Sequence, residues 1–401
     1  MSKAVIFLAD GMADERLPEL NNQTPLEAVN TPFMDAIAAK GACGSFLTLP
    51  EGYPTSSDAA NMSVLGYSLE RYYPGRGPLE AVSQDIELKD NDIAWRCNLV
   101  TVKDGILEDY SAGHIENERS SVIFQDLQKE FGNEKVSFHP GVSYRNLLVL
   151  HGDEFSSDID YYKPDSSQGE PVSELPLTPL NNSETAKYTV QFLCELQQRV
   201  AEFLEAHPLN RGCENPANRI WPWSPGKRPA FPPFSEKYAG KTAAVISAVD
   251  VIFGIAKCAS MDVIKVPGAT GFVDTNYQGK AQAAIKALEN HDFVYLHVEA
   301  IDECSHMGDL ELKMKAIADF DEKIIAPVMR ALEGQEVTFA VLPDHPVPIK
   351  LRKHTRTPVP VAICGPHIVP DELSCFSEIT APEGGLGFMK EDELIRKILN
   401  I

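Results

Sequence analysis

Apolar residues along this chain fall into two patterns. Short uninterrupted runs, such as Ala4–Leu8 and Val337–Leu342, alternate with stretches in which apolar positions recur three and four residues apart. The first pattern predicts a buried strand and the second an amphipathic helix. Near the start, a strand over 4–8 leads into a loop carrying Asp10 and then a helix over 32–40. Asn30 or Thr31 is the expected cap of that helix, with Pro32 favourable at its first position. Beyond residue 241, strands are predicted at 242–247, 263–266, 293–298, 337–342 and 359–363. Helices are predicted from 248 through 257, over 277–288 and over 310–332. Such alternation implies right-handed crossovers and a mainly parallel sheet covered on both faces. The expected class is α/β, a mainly parallel sheet flanked by helices that the first strand shares with the C-terminal half.

Residues 82–237 differ in character. A strand over 94–102 turns at Lys103-Asp104-Gly105 into 106–110, and an amphipathic helix over 116–131 stops at Gly132. A strand over 145–151, a polar Pro/Ser-rich stretch over 152–182 and a helix over 184–207 follow. The segment NPANRIWPWSPGKRPAFPPFSEKY is too rich in proline to predict regular structure, so it is expected to connect domains. The predicted organisation is a core domain from 1–81 and 238–401, with 82–237 inserted as an α+β domain with its linkers.

Composition narrows the function. The chain has 401 residues, 58 acidic against 36 basic, and a formal charge of −22. That balance argues against nucleic acid, whose binding needs clustered Lys and Arg. A small phosphorylated substrate needs only a local cationic site. The N-terminal MSKAVIFLADGMADE lacks the long apolar region of a signal peptide, and Thr242–Ala256 is too short and too interrupted for a membrane span. The 8 cysteines form no C-x-x-C pair and read as reduced core thiols, so a cytoplasmic location is expected. No heptad or other self-association signal marks an oligomeric state.

The chain has no dinucleotide-binding G-x-G-x-x-G after a strand, no P-loop and no H-E-x-x-H. Instead, acids and imidazoles recur just past predicted strands: Asp10 after AVIFLA, Asp302 and His306 after FVYLHVEA, and Asp344 and His345 after TFAVLP. His354 follows shortly, before PVPVAICG. In an α/β sheet these strand ends gather the functional loops. So many ionisable groups at one edge call for a compensating cation, and mixed oxygen and nitrogen ligands suit Mn²⁺ or Zn²⁺ better than Mg²⁺. One ion seldom needs six such side chains, whereas two ions readily use them. Ser56, Ser57 and Ser63 in PTSSDAANMSVLGY are candidate nucleophiles, because a serine hydroxyl bound to a dication has a lowered pKa.

GYPTSSDAANMSVLGY followed by GRGPLEA, then VPGATGFVDTNYQGKAQAA, HVEAIDECSHMGDLELK, LPDHP and KHTRTPVP, resemble the cofactor-independent phosphoglycerate mutases. The match is to their archaeal-type branch, within the alkaline phosphatase superfamily. It covers nearly the whole chain and is weakest between about 152 and 205. It implies an alkaline-phosphatase-like core and Ser57 as the phosphorylated serine. Asp10, Ser57, Asp344 and His345 match the ligands of one divalent ion; Asp302, His306 and His354 match those of the other. The ions implied are two, usually Mn²⁺ and sometimes Zn²⁺, Mg²⁺ or Co²⁺, with no bisphosphoglycerate. Lys237 in SEKY matches a lysine that contacts the phosphoryl group. In the family the inserted domain closes over the substrate, and Arg145 in PGVSYR is its best basic candidate here. Arg76, Asp58 and His114 complete the candidate substrate-binding set.

The chain also departs from that branch. Members tend to carry Arg where His114 stands in SAGHI, Arg near Trp223 in IWPWSPG, and His where Asn61 stands. Arg grips a carboxylate through two parallel hydrogen bonds in a way that His and Trp do not. The expected activity is interconversion of 2- and 3-phosphoglycerate through a phosphoserine. The alternatives are phosphoryl transfer to another small hydroxyl compound, as in a bacterial group with SAGHI and WPWSPG that resembles this chain and has a proposed homoserine-kinase role, or a metal-dependent phosphomonoesterase.

Overall fold

The computed structural model describes residues 3–401. The chain divides into two units, one built from the segments up to Tyr73 and from Phe231 to Ile401, the other from Pro74–Ala230. The expected boundaries at 81/82 and 237/238 therefore move earlier. The helix Arg76–Ser83 packs on strands of the second unit. The short helix Phe234–Lys237 belongs to the first, where Phe234 stacks on Phe293 with ring centroids 5.3 Å apart.

The first unit is built on an 8-stranded sheet. Its order is Asp262–Lys265, Ala243–Ser247, Phe293–Val298, Lys3–Ala9, Val337–Leu342, Val359–Cys364, Ala42–Phe46 and Gly387–Met389. The first five run parallel, and only Val359–Cys364 runs against its neighbours. The register places the C-terminal ends of three adjacent strands, Ala9, Val298 and Leu342, at one edge. Because Val359–Cys364 is antiparallel, its entry from His354 lies at that same edge, as does the exit of Ala42–Phe46 toward Ser57. The topology thus delivers five strand ends to one place. Val5, Phe7, Val294, Leu296 and Val341 fill the core beneath them, all fully buried.

Two local expectations need correction. Neither Asn30 nor Thr31 caps the helix Pro32–Ala39: Thr31 holds the cap position without a side-chain bond. Its free amides are met from across the fold by Asp321, which accepts from Phe33 N at 3.1 Å and Met34 N at 2.7 Å. The helix predicted over 310–332 is continuous but contains a π turn at Asp321–Ile325, just before Pro327, which lacks the N–H that a regular turn would use.

In the second unit, Ile93–Lys103 pairs antiparallel with Arg145–Leu150 on one side and Arg219–Lys227 on the other. Helices Asn117–Phe131 and Glu184–Ala206 cover the sheet through Ile123, Phe124, Leu193 and Val200. Arg219–Lys227 lies inside the segment expected to be an irregular connection. Among the described residues it pairs with one neighbour only, and an edge strand tolerates Pro222 and Pro225 because one row of its amides goes unused. Its side chains alternate over 220–223, before the register shifts at Ser224–Pro225. Ile220 faces the helices, while Trp221 and Trp223 face Val100 and Leu107.

Candidate metal centre

Asp10, Asp344 and His345 occupy loops just past their strands, Asp302, His306 and Ser57 sit on the helices that follow theirs, and His354 precedes the antiparallel strand Val359–Cys364. Gly11, next to Asp10, has φ +64°, and a Cβ there would stand 2.7 Å from Asp302 Cα. Only glycine allows the Asp10 loop to meet the Asp302 helix this closely. That helix, Ala300–Met307, sets Asp302 and His306 one turn apart on one face and ends at Gly308, whose φ of +73° is left-handed. Ser57 is the first residue of the helix Ser57–Val64. The loop before it is pinned by Arg356, which donates to Pro50 O at 2.7 Å and to Tyr53 O.

Two donor groups result. Around His345 Nε2 lie Ser57 Oγ at 3.2 Å, Asp10 Oδ1 at 3.4 Å and Asp344 Oδ2 at 3.4 Å. Beside them, His306 Nε2 is 3.4 Å from Asp302 Oδ2, His354 Nε2 is 3.5 Å from Asp302 Oδ1, and the two imidazole nitrogens are 2.9 Å apart. The His345 and His354 rings stack at 3.8 Å, so the groups adjoin.

The electrostatics of this cluster are short of positive charge. Burial, then the charges of Asp344 and Asp302, push Asp10 well above the ordinary carboxylate range. Burial likewise pushes Asp344 up to about 7. Asp302 goes the other way: burial opposes its ionisation, but His306, His354 and His345 hold it well below the usual value. Asp302 in turn raises His306 to about 9 against the effect of burial. Burial and the neighbouring His354 lower His345. Asp10 Oδ1, Asp302 Oδ1 and His345 Nδ1 are buried without a hydrogen-bond partner among the described residues. Carboxylates driven to keep protons, with unpartnered oxygens pointing at imidazole nitrogens, fit divalent cations that would replace those protons.

Other predicted residues lie elsewhere. Asp58 is fully buried, accepts a 2.6 Å bond from Tyr73 and offers no surface to a substrate, which corrects its assignment as a binding residue. The structure does not bring Lys237 to Ser57. Lys237 lies 3.8 Å from Asp392 and over the Tyr67 and Tyr238 rings, where Tyr238 bonds Leu65 at the far end of the Ser57 helix. Eight residues of helix span about 12 Å. Burial lowers the Lys237 pKa, partly offset by Asp392.

In the second unit, Arg145 donates to Tyr144 at 3.2 Å. His114 is exposed on a left-handed backbone (φ +52°), edge-on to Tyr110 and Tyr144. Arg76 donates to Glu80 Oε1 at 2.8 Å, and the buried Arg96 pairs with the same oxygen. Glu80 therefore ties two guanidiniums together.

Comparison with known proteins decides the lineage. A family model described as 2,3-bisphosphoglycerate-independent phosphoglycerate mutase matches residues 38–210. A protein of that name from Methanosarcina acetivorans is 44% identical over 406 residues, covering 100% of both chains. The chain belongs to the 2,3-bisphosphoglycerate-independent phosphoglycerate mutase family. A probable mutase of the same description from Geobacter sulfurreducens is 44% identical over 90% of each chain. Among solved structures, a Pyrococcus horikoshii protein superposes with a TM-score of 0.83 at 27% identity, over 100% of this chain and 97% of that one. The cofactor-independent phosphoglycerate mutase of Thermoplasma acidophilum gives 0.67 at 26%, over 100% and 99%.

Within this mutase-family chain, several residues that support the donors lie inside the quoted motifs but were not among the predicted site residues. Lys313, fully buried, bonds Asp14 Oδ2 at 2.7 Å and Val347 O at 3.0 Å, tying the Asp10 loop to the Asp344–His345 loop. Asn61 donates to Ser57 O and Asp344 Oδ2, both at 2.8 Å, and accepts from Tyr295. One signal was readable. Tyr295 and His297 are polar residues two apart on one face of an otherwise apolar strand, and a buried polar face needs a partner.

Proposed function

We propose that this chain interconverts 2- and 3-phosphoglycerate through a phosphoserine at Ser57. The observation that supports it is the convergence of Ser57 Oγ on His345, Asp10 and Asp344 beside the Asp302–His306–His354 group. Asp10, Ser57, Asp344 and His345 would hold one divalent ion and Asp302, His306 and His354 a second, Mn²⁺ being favoured over Zn²⁺, Mg²⁺ or Co²⁺. Bound there, the ions lower the hydroxyl pKa and offset charge on the phosphoryl oxygens.

Ser57 Oγ gives up its proton and forms an O–P bond as the O–P bond to glycerate breaks and the glycerate oxygen takes a proton. The return transfer to the other glycerate hydroxyl restores Ser57. Ser57 stands at a helix N-terminus, whose free amides and positive dipole end favour the phosphoryl anion. Asn61, bonded to both Ser57 O and Asp344, holds the nucleophile in register with its neighbours. Arg145, with His114 and the Glu80-tethered Arg76, would recognise the anionic substrate. The test is conversion of 3-phosphoglycerate with Mn²⁺ and no bisphosphoglycerate, with mass spectrometry of the Ser57 peptide. Turnover with a phosphorylated Ser57 is expected; a rate no higher than that of Ser57→Ala would end the proposal.

A further inference from the structure

The reaction above leaves one buried chain of side chains unused. His297 is fully buried on the strand Phe293–Val298, and its Nε2 lies 3.0 Å from Asp10 Oδ2. Its Nδ1 lies 3.1 Å from Ser247 Oγ on the adjacent parallel strand. Val249 N donates to that same Ser247 oxygen at 3.1 Å, so the Ser247 hydroxyl hydrogen is free to point at Nδ1. An imidazole that accepts at Nδ1 carries its hydrogen on Nε2 and donates it to Asp10. From below, the fully buried Lys280 donates to the His297 carbonyl at 3.1 Å. Lys280 lies in VPGATGFVDTNYQGKAQAA, a motif that places nothing among the donors.

We propose that His297 is a positioning residue for one half of the metal centre, locked by Ser247 and Lys280 so that it selects which oxygen of Asp10 faces the cation. Its hydrogen bond occupies Oδ2. Oδ1 is left without a hydrogen-bond partner among the described residues, facing His345 Nε2 at 3.4 Å. A carboxylate held at one oxygen has little freedom to rotate, so its ligand geometry is set before an ion arrives. The Asp302 group has a different arrangement. His306 is oriented through Nδ1 by Arg352 O at 2.9 Å, independently of His297. The effect is therefore confined to the Asp10 half.

This inference rests on the two-ion reading, and calorimetric titration of the ion-stripped protein with Mn²⁺ separates the two. Two binding steps are expected for the wild type, and no binding at all would sink the metal reading itself. His297→Leu should weaken by about 10- to 100-fold the step that Asp10→Asn also weakens, leaving the other within about threefold. His297→Gln, which can present a donor to Asp10, should recover most of that loss. Ser247→Ala frees the ring without touching Asp10 and should weaken the same step by a few fold; it carries the test if His297→Leu does not fold. Wild-type affinities in folded His297→Leu, or in Ser247→Ala if the former does not fold, would overturn the proposal. Equal weakening of both steps would overturn it too, as would Gln behaving like Leu.

Discussion

The two units carry opposite electrostatic faults. In the first, Asp10, Asp302 and Asp344 crowd together with imidazoles, two of the acids being pushed toward protonation. In the second, the buried Arg96 and half-buried Arg76 crowd onto Glu80, with Arg145 close enough to act on both. The first arrangement lacks cations and the second has cations to spare. A chain of formal charge −22 can therefore serve a phosphorylated substrate, because the global sum does not describe either neighbourhood. The first unit's donors suit dications, and the second unit's surplus suits an anion.

The sharpest way to break this contrast is Ser57→Ala. It should lower the mutase rate by at least about a thousandfold, the scale of removing a nucleophile, while leaving the second unit's stability unchanged. Steady-state assay and urea denaturation check both halves. Next in size is Glu80→Gln, which leaves two guanidiniums without their shared counter-ion. It should destabilise the second unit by about 3–5 kcal/mol, the cost of breaking a buried pair on one side. The pH sign follows from Glu80 itself. Burial opposes its ionisation, but Arg96 and Arg76 overcome this and hold its pKa below the ordinary 4.5. The stabilisation is present above that value and is lost as pH falls through the lower folded one. Wild type and Glu80→Gln should thus converge in acid; a difference that grows on acidification would refute the assignment.

How much of this was legible in the sequence divides along the same line. The donors could be read because a parallel sheet puts every strand's exit at one edge, so Asp10, Asp302, Asp344 and His345 needed only their strands to be recognised. His354 joins them because Val359–Cys364 runs the other way, which apolar runs do not reveal. The supports were invisible for a related reason: Asp321 capping Phe33, Lys313 on Asp14 and Arg356 on Tyr53 are partners hundreds of residues apart, and pairing at that distance leaves no local pattern. In the second unit the strand Arg219–Lys227 was hidden by its prolines, although the alternation of Ile220, Trp221 and Trp223 was there to read. Asp58 and Lys237 were placed by motif alone, and a motif says nothing of burial or packing.

A smaller effect sharpens the anion side of the contrast. Arg145→Ala should raise the KM for phosphoglycerate by about 10- to 100-fold, the value of one charge-assisted hydrogen bond, with divalent-metal affinity unchanged. Lysine at that position should recover only part of the loss, because it lacks the planar fork. An unchanged KM would move substrate recognition away from Arg145.

The smallest change tests whether the second unit's arginines depend on the tryptophan beside them. Trp223 Nε1 donates to Asn98 Oδ1 at 3.0 Å, and the Arg96 guanidinium lies 4.9 Å from the Trp223 ring centroid. Trp223→Phe keeps an aromatic face under Arg96 but removes the N–H, leaving the buried Asn98 oxygen unpaired. That should cost about 1–2 kcal/mol, mostly from the orphaned acceptor, with a weaker cation–π contact adding little. In urea denaturation, Trp223→Phe with Asn98→Ala should cost less than the sum of the two single changes, because each removes the same bond. Strict additivity would show that the tryptophan contributes through packing alone.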